Sequence, residues 1–380
     1  MPAEHLALVI VRPDVRRYSR HLLIPEVGLA GQQALTRARV LVIGAGGLGA
    51  PVLQYLAAAG VGRLGVVDDD VVELTNLQRQ VIYATDDIGR SKAQAAAERV
   101  AALNPQVAVD PIAVRFEAGN ARQLVRLYDV VVDATDTFEA RYLINDACRL
   151  EGRPDVYGSI FRFDGQVSVF APGGPCYRCL FPEAPPAGTV PTCAEGGVLG
   201  VLAGIVGTWQ ASEALKLILG IGIPLAGRLL LVDALGARVR EIAVAVDPDC
   251  PLHGERRTIF DVAPGTPEPA PARAAGFLEL SADELDEFLA AHPEAAVLDV
   301  REPHERALGA APRAIEVPAS ALEARLSELD TARTYVVACR VGAKSRWAAE
   351  RLYDAGFRRL GHLTGGLLRY AATRPDFEAF

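Results

Sequence analysis

The chain has 380 residues, a formal net charge of −8 and a hydrophobic fraction of 50%. This length predicts two domains, each with a sizeable core. The acidic charge argues against nucleic acid and anionic membranes as partners, because both favour a basic protein face.

Three features indicate a cytoplasmic protein without a membrane span. The first residues lack a basic stretch followed by a cleavable apolar run, so we expect no export signal. Six cysteines are too few for a disulfide scaffold and favour metal or sulfur chemistry in a reducing compartment. The most apolar stretch, residues 198–219, is interrupted by Gln210, Glu213 and Lys216, which predicts a buried helix.

Strand and helix patterns alternate through residues 1–253. The segment ARVLVIGAGG predicts a strand entering a glycine turn, APVLQYLAAAGV predicts a helix, and RLGVVDDD predicts a second strand. A helix ended by proline, SKAQAAAERVAALNP, and a later strand, DVVVDATD, follow. Strands that alternate with helices predict a Rossmann-like α/β domain, with a doubly wound, mostly parallel sheet and ligands at the carboxyl ends of its strands.

Residues 254–276 differ in composition, and residues 263–276 read APGTPEPAPARAAG. Proline and alanine with few large apolar residues predict a flexible, extended linker. Beyond it, FLELSADELDEFL, AAVLDVRE and TYVVACRVGAKS predict a second, smaller α/β domain over residues 277–380.

A glycine turn follows the first strand and opens the next helix, with Gly44, Gly46, Gly47 and Gly49. Its backbone amides and the helix N-terminus can approach phosphate groups closely. Asp68 ends the next strand, where an acid that binds ribose is expected. By itself this pattern fits a nicotinamide-dependent oxidoreductase as well as an ATP-binding enzyme.

The residues after Asp68 distinguish these two functions. Attack of a carboxylate on the α-phosphate of ATP requires cations for the triphosphate and a carboxylate that holds Mg²⁺. Arg79 and Lys92 can supply the cations, and Asp136, at the end of the DVVVDATD strand, can supply the carboxylate. Hydride transfer needs none of these groups, so the pattern favours adenylation.

Four stretches are shared with a known family: RYSRHLLIPEVG, GAGGLGAPVLQYLAAAGVGRLGVVDDDVVELTNLQRQ, DATD and GPCYRCLFPE. Through them residues 17–253 resemble the MoeB/ThiF family, bacterial relatives of ubiquitin-activating enzymes. The resemblance implies a homodimer in which Arg20 reaches the site of the neighbouring subunit. Thr137 departs from the family, which usually has asparagine after the second aspartate of DATD. The implied ATP contacts come from Gly47, Asp68, Asn76, Arg79, Lys92 and Asp136.

Two pairs of candidate metal ligands lie far apart in the sequence: Cys176 with Cys179, and Cys250 with His253. Two residues separate the ligands of each pair, a spacing that lets one turn direct both at a tetrahedral Zn²⁺ ion. The MoeB/ThiF family normally has four cysteines here, so the resemblance implies a closed, structural Cys₃His site. The alternative is a redox or unpaired Cys-x-x-Cys, with His253 merely exposed.

Cys193 lies in the segment VPTCAEGG, just before the long apolar helix. A thiol beside a helix N-terminus can be reactive because its pKa is depressed. In relatives that transfer sulfur, the cysteine at this place attacks the adenylated carrier or forms a disulfide intermediate with it. Some MoeB-type enzymes only adenylate, so an unreactive loop cysteine is the alternative.

Cys339 ends the apolar strand TYVVAC and opens the loop CRVGAKS before a helix. Such a loop points successive amides at the sulfur, which is expected to lower the thiol pKa and to stabilise a persulfide. Arg340, Lys344 and Arg346 are expected to add positive potential. Ser345 stands where a phosphatase-type loop needs arginine, which argues against phosphate chemistry.

This loop, with LDVRE before it and LTGG after it, resembles the rhodanese pattern CRxGxRS. Lys344 replaces the last arginine of the pattern, and LGAAPRAIEVP stands where HIPGA is usual. The alternative is an inactive rhodanese-like binding module. Cys148 is expected in the core. No role is assigned to His5, His21, His292, His304 or His362.

The combined domains resemble fused adenylyltransferase/sulfurtransferases of the MoeZ type. The expected reaction adenylates the C-terminal glycine of a ubiquitin-like sulfur carrier that ends in Gly-Gly (MoaD/ThiS-like). A Cys339 persulfide, formed from a cysteine desulfurase or thiosulfate, then gives a thiocarboxylate and AMP. The alternative is adenylation alone, with the rhodanese domain as a docking module. Molybdenum cofactor, thiamine, cysteine, tRNA thiolation and secondary metabolism all stay open as the pathway.

Overall fold

The computed structural model describes residues 14–184, 196–262, 276–307 and 309–374. The chain divides into two compact units. The described parts of the first unit are residues 14–184 and 196–262, and the second unit takes up the described residues from 276 onward.

The first unit is built on an eight-stranded sheet. In chain order its strands are β1 (Arg39–Ile43), β2 (Arg63–Val67), β3 (Ala108–Ile112), β4 (Val130–Asp133), β5 (Asp155–Phe161), β6 (Asp164–Phe170), β7 (Arg228–Asp233) and β8 (Arg238–Ala243). Their order across the sheet is β3-β2-β1-β4-β5-β6-β7-β8. Strands β1 to β5 pair in parallel, whereas β6, β7 and β8 join antiparallel. The predicted Rossmann-like, mostly parallel sheet is confirmed.

Helices bury both faces of this sheet. Val40 and Val42 of β1 join one core cluster, while Leu41 and Ile43 join a second cluster on the opposite face. The helices are α1 (Ser19–Leu22), α2 (Gly28–Arg37), α3 (Gly49–Ala59), α4 (Lys92–Leu103), α5 (Ala118–Arg126), α6 (Phe138–Leu150), α7 (Tyr177–Leu180) and α8 (Gly200–Leu219), with 3₁₀ turns at Leu74–Asn76 and Thr85–Asp87.

Helix α8 forms from the predicted apolar stretch and is buried along part of its surface, whereas Val201 and Ile205 are exposed. A Cβ at Gly207 would lie 2.5 Å from Pro51 Cγ and 2.6 Å from Leu48 O, so glycine is required where α8 crosses the start of α3. The interrupting side chains Gln210 and Glu213 are buried and have polar partners within the unit. Among the described helices, none is both long and apolar enough to cross a lipid bilayer.

Strand register brings the candidate site residues to one edge of the sheet. Ile43, the last residue of β1, pairs with Val67 of β2 on one side and with Asp133 of β4 on the other. The residues that follow these three strands therefore meet at the carboxyl edge, where parallel α/β sheets bind their ligands.

The second unit has a five-stranded sheet. Its strands are β9 (Leu278–Leu280), β10 (Ala296–Asp299), β11 (Ala314–Glu316), β12 (Tyr335–Ala338) and β13 (Leu360–Leu363), and its helices are α9 (Glu284–Ala291), α10 (Pro303–Arg306), α11 (Ala343–Asp354) and α12 (Gly366–Ala372), with 3₁₀ segments at Ala319–Ala321 and Glu323–Glu328. The order is β11-β10-β12-β13-β9, with parallel pairing throughout. This is the second, smaller α/β fold that the sequence predicted.

The first part of the predicted linker packs against the first unit. The backbone N–H of Ile259 donates to Pro251 O at 2.8 Å, and Asp261 forms an ion pair with Arg122 at 2.9 Å. Val262 packs against the core cluster beneath α5 and α6. The composition of the segment did not reveal these contacts, because an average over many proline and alanine residues obscures the single apolar residues Ile259 and Val262. Residues 263–275 lie outside the described residues.

Candidate active sites and metal site

The glycine turn connects β1 to α3 at the carboxyl edge of the first sheet. Gly44 has a φ of +92° and donates its N–H to Val67 O at 2.8 Å. A Cβ at Gly44 would lie 2.7 Å from Ala134 O, and a Cβ at Gly49 would collide with the carbonyl of Gly44. Only glycine fits these two positions, and the resulting turn places the N-terminus of α3 where a phosphate group can approach it.

Asp68 lies beside this turn, directly after β2. Its carboxylate accepts hydrogen bonds from Ala45 N at 2.8 Å and from Asp70 N at 2.9 Å. Burial raises the pKa of Asp68, and the positive charge of Lys92 opposes that shift. Backbone hydrogen bonds therefore hold Asp68, the predicted ribose-binding acid, beside the glycine turn.

Lys92 is the first residue of α4, and its side chain is buried. Its Nζ pairs with Asp70 Oδ2 at 2.8 Å. The hydroxyl of Tyr83 donates to Ala45 O at 2.8 Å and lies 3.1 Å from the carbonyl of Lys92, which ties the start of α4 to the glycine turn. The fold therefore brings this predicted cation to the same edge as the turn.

Arg79 also lies against the glycine turn. A Cβ at Gly47 would be 3.5 Å from Arg79 Cγ, so the aliphatic stem of the arginine runs alongside that glycine. Asn76 is buried in the preceding 3₁₀ turn. Gln80 is 3% exposed, and its Nε2 lies 3.6 Å from where a Cβ of Gly46 would be. The predicted contacts Arg79 and Asn76 therefore share one turn with Gln80, a residue to which the sequence analysis gave no role.

The DATD turn follows β4 and is held by buried polar contacts. Asp133 accepts hydrogen bonds from Thr135 N at 2.9 Å and from its hydroxyl at 2.6 Å. Burial raises the pKa of Asp133. The Nε2 of Gln210, on α8, donates to Asp133 O at 2.6 Å and to Val156 O at 3.0 Å, joining the ends of two neighbouring strands.

Asp136 is exposed at the end of this turn. The next residue, Thr137, is the N-cap of α6, and its hydroxyl accepts the backbone N–H of Ala140 at 3.2 Å. Threonine thus performs at this position a capping role for which asparagine is also well suited. The departure from the family pattern leaves the turn intact.

Arg20 and Cys193 are two further residues with predicted catalytic roles. Arg20 lies on α1, where its side chain is exposed, and it is followed by Leu23 and Ile24, which are 73% and 44% exposed. Cys193 lies outside the described residues.

The two candidate metal pairs converge. The donor atoms of Cys176, Cys179, Cys250 and His253 all lie within 4.8 Å of one another. Cys176 Sγ is 3.8 Å from Cys179 Sγ and 3.6 Å from Cys250 Sγ, and Cys179 Sγ is 3.3 Å from His253 Nε2. Four donors around a tetrahedral ion at about 2.3 Å are separated by about 3.8 Å, so these residues fit a four-coordinate metal.

Burial and a hydrogen bond to the backbone of α7 define the surroundings of this cluster. Cys176 and Cys250 are buried, and burial raises the pKa of the Cys176 thiol. The N–H of Tyr177, at the start of α7, donates to Asn145 Oδ1 at 2.7 Å. Cys148 is 1% exposed in the core, as predicted. The convergence of four donors favours a metal site over an isolated redox pair.

Cys339 lies at the end of β12 in the second unit, in a loop that wraps its sulfur. Its Sγ accepts the backbone N–H of Gly342 at 3.2 Å and that of Ser345 at 3.3 Å. Gly342 has a φ of +102°, and α11 begins at the next residue. Amides that converge on one atom stabilise negative charge there, which suits a thiolate or a persulfide.

The positive charges expected around this loop are largely paired. Lys344 Nζ lies 3.1 Å from the buried carboxylate of Glu305, and Arg346 pairs with Glu279 at 2.8 Å. Each of these two cations therefore has an anionic partner, which offsets part of the positive potential that the sequence predicts at the sulfur. The backbone amides remain the donors that contact Cys339.

His362 and Gln210 are the clearest residues that sequence reasoning missed. His362 Nε2 lies 2.9 Å from Gly342 O, inside the Cys339 loop, and burial lowers the pKa of its ring. Gln210 joins the DATD turn to β5. Both are polar residues within otherwise apolar elements, which is a signal for a buried polar contact but does not name the partner.

Comparison with known proteins agrees with this geometry. The sequence model of the ThiF family matches residues 18–252, and that of the rhodanese-like domain matches residues 281–373. The chain is 45% identical over 387 residues to the probable adenylyltransferase/sulfurtransferase MoeZ of Mycobacterium tuberculosis, covering 100% of this chain and 98% of that protein. It is 55% identical over 253 residues to the sulfur carrier protein adenylyltransferase of Thermus thermophilus, covering 65% of this chain and 93% of that protein.

Among solved structures, E. coli MccB in complex with MccA-N7isoASN matches with a TM-score of 0.56 at 22% identity, over 63% of this chain and 74% of that chain. This likeness concerns the fold alone. The sequence relatives carry the identification further, since the MoeZ match spans both units. The chain belongs to the ThiF family, carries a C-terminal rhodanese-like domain, and is an adenylyltransferase and sulfurtransferase.

Proposed function

We propose that the protein adenylates the C-terminal glycine of a ubiquitin-like sulfur carrier with ATP and then converts the acyl-adenylate into a thiocarboxylate. The observation that carries this proposal is that one chain holds two kinds of site. One is a glycine turn flanked by Arg79 and Lys92, and the other is a loop whose amides converge on Cys339. The first arrangement suits a triphosphate and the second suits an anionic sulfur.

In the first half-reaction, the glycine turn and the N-terminus of α3 bind the phosphates, and Asp68 holds the ribose. Arg79 and Lys92 stabilise the negative charge that develops as the carboxylate of the carrier attacks the α-phosphate and pyrophosphate leaves. Asp136, exposed at the end of the DATD turn, would hold Mg²⁺, which neutralises phosphate charge when bound. AMP is a good leaving group, so the acyl carbon is then open to attack by sulfur.

In the second half-reaction, the thiolate of Cys339 attacks the outer sulfur of a donor. The S–S bond of the donor breaks, and sulfite leaves from thiosulfate or a cysteine thiolate leaves from a desulfurase persulfide. The resulting persulfide attacks the acyl carbon and releases AMP. A second thiol, for which we propose Cys193, cleaves the acyl–S–S–Cys339 linkage to give the thiocarboxylate and a disulfide, which a cellular thiol reductant returns to thiols.

Replacement of Cys193 by alanine tests this resolving role. We expect ATP–pyrophosphate exchange to stay within about twofold of wild type, while thiocarboxylate formation falls at least about tenfold, because the acyl disulfide is no longer cleaved in cis. Mass spectrometry of the carrier, which detects the exchange of oxygen for sulfur, measures the product. Unchanged thiocarboxylate formation in Cys193→Ala contradicts the role and leaves Cys193 without a function in sulfur transfer.

We propose that the Cys₃His cluster binds structural Zn²⁺, supported by its ligand-atom separations and by the burial of Cys176 and Cys250. Purified protein is expected to contain one zinc per chain. Cys250→Ser should lose that zinc and melt at a lower temperature, since an ion that binds only the folded state stabilises it. The control His253→Cys provides four thiolates and should keep the metal. Absence of stoichiometric zinc from the wild-type protein would refute the proposal.

We propose that the enzyme works as a homodimer in the cytoplasm, where a reducing environment preserves thiolates and persulfides. Arg20 would then complete the ATP site of the partner subunit. The exposed side chains of Leu23 and Ile24 beside it support this placement, because they offer apolar surface for a subunit contact.

The whole proposal is tested by ATP–pyrophosphate exchange against a panel of carriers, MoaD-like and ThiS-like, that end in Gly-Gly. Exchange is expected only with a cognate carrier, and the same carrier without its last glycine serves as the control, because the attacking carboxylate is then misplaced. Exchange that is independent of any carrier, or no exchange with any member of the panel, contradicts the proposed substrate class. The active carrier identifies the pathway.

A further inference from the structure

His362 lies on β13, next to the strand that leads to Cys339, and it is 3% exposed. Its Cα pairs in register with Val337, two residues before the cysteine. Its Nε2 is 2.9 Å from the carbonyl oxygen of Gly342. A carbonyl only accepts hydrogen bonds, so Nε2 carries the ring hydrogen, and Nδ1 carries none in the neutral imidazole.

Three donors form hydrogen bonds with the carbonyl oxygen of Gly342. Besides His362, the hydroxyl of Ser345 donates to it at 2.9 Å and the backbone N–H of Arg346 donates at 3.0 Å. The N–H of the same glycine donates to Cys339 Sγ at 3.2 Å. Glycine with a φ of +102° has wide backbone freedom, so its orientation depends on these hydrogen bonds.

Within the described part of the unit, the ring of His362 makes one hydrogen bond, the one to Gly342 O. Its Nδ1 is buried there without a hydrogen-bond partner. The ring of Phe277 meets it edge to face, with 6.4 Å between the ring centroids. A buried histidine whose other nitrogen stays unpartnered costs stability, and its single hydrogen bond goes to the loop that carries Cys339.

We propose that His362 is a positioning residue of the sulfur site, which holds Gly342 so that its amide stabilises negative charge on the Cys339 thiolate and persulfide. This inference rests on the proposed role of Cys339. His362 would act on the sulfur indirectly, through the carbonyl of Gly342. The effect acts through the backbone amide, as in other sites where preorganised N–H groups stabilise a developing charge.

The test compares His362→Gln with His362→Met in the full chain. Glutamine places an N–H donor at about the reach of Nε2, whereas methionine has similar volume and no donor. Two quantities are measured: the pH dependence of iodoacetamide alkylation, read on the peptide that contains Cys339, and the initial rate of Cys339 persulfide formation with thiosulfate. For His362→Met we expect the rates of Cys339 alkylation and of persulfide formation at neutral pH each to fall about tenfold, because the thiolate is less stabilised. His362→Gln should stay within about twofold of wild type.

Leu285→Ala is the control, because Leu285 is buried in the same unit but belongs to a different core cluster from Cys339. It should lower the melting temperature and leave the rates of alkylation and persulfide formation unchanged. Wild-type rates in His362→Met, or equal impairment in His362→Gln, would overturn the inference. A wild-type protein that forms no persulfide contradicts the role of Cys339 instead, while the alkylation profile still decides the role of His362.

Discussion

Cys339→Ser is expected to abolish thiocarboxylate formation, by about a thousandfold or more, while ATP–pyrophosphate exchange stays near wild type. The serine hydroxyl cannot accept a sulfane sulfur to form a persulfide, but it fits the space of the buried thiol and keeps the loop amides in place. The two activities are measured on one preparation, with carrier-dependent exchange for adenylation and mass spectrometry of the carrier for sulfur transfer.

Two outcomes of this experiment would contradict the proposed role of Cys339. If Cys339→Ser keeps full thiocarboxylate formation, the rhodanese-like domain acts as a docking module and sulfur reaches the carrier by another route. Leu285→Ala, which removes a buried side chain from a different core cluster of the same unit, controls for instability. A loss shared by both variants would attribute the effect to folding and contradict a chemical role for Cys339.

Lys92→Met is expected to reduce ATP–pyrophosphate exchange about 10²- to 10³-fold, because it removes a positioned cation from the triphosphate site. The fold should survive, since Asp70, the partner of Lys92, has a side chain 69% exposed and stays hydrated when the lysine is removed. Arg90→Met is the matched control. Arg90 lies two residues earlier and pairs with Asp87 and Glu98, so its loss should change exchange by no more than about twofold.

The same variant tests the dimer. Arg20→Ala and Lys92→Met subunits, each inactive by itself, are unfolded together and refolded as a mixture. If Arg20 acts in the partner's site, heterodimers carry one intact site, and random pairing restores about a quarter of wild-type exchange. If Arg20 acts within its own subunit, the mixed sample stays inactive. That result would rule out the shared site.

The local features of both sites were predictable because each depends on a short stretch of consecutive residues. A strand followed by glycines and a helix predicts a phosphate-binding turn, and Gly44 and Gly49 occupy positions that admit no side chain. The strand TYVVAC followed by CRVGAKS likewise predicts a loop whose amides point at Cys339, and two of them do so. These inferences depend on backbone geometry over a few residues.

Contacts between distant parts of the chain were not predictable in the same way. Spacing indicated that Cys176 and Cys250 belong to one site, but only the fold brings their sulfurs to 3.6 Å across 74 residues. Glu305, 39 residues before Lys344, pairs with it and offsets the charge that the loop sequence suggested. Gln210 joins β4 to β5 from a helix whose composition indicated only burial.

The sequence by itself therefore determined the two α/β folds, the glycine turn after β1, the candidate metal ligands and the cysteine that faces the amides of its own loop. The tertiary structure decided which charges at the sulfur site are paired, which buried polar groups hold the DATD turn, and that His362 supports Gly342. The physical reason is that backbone propensity and ligand spacing are local properties of the chain. The partner of a buried charge or hydrogen-bond donor is instead selected by packing among residues far apart in sequence.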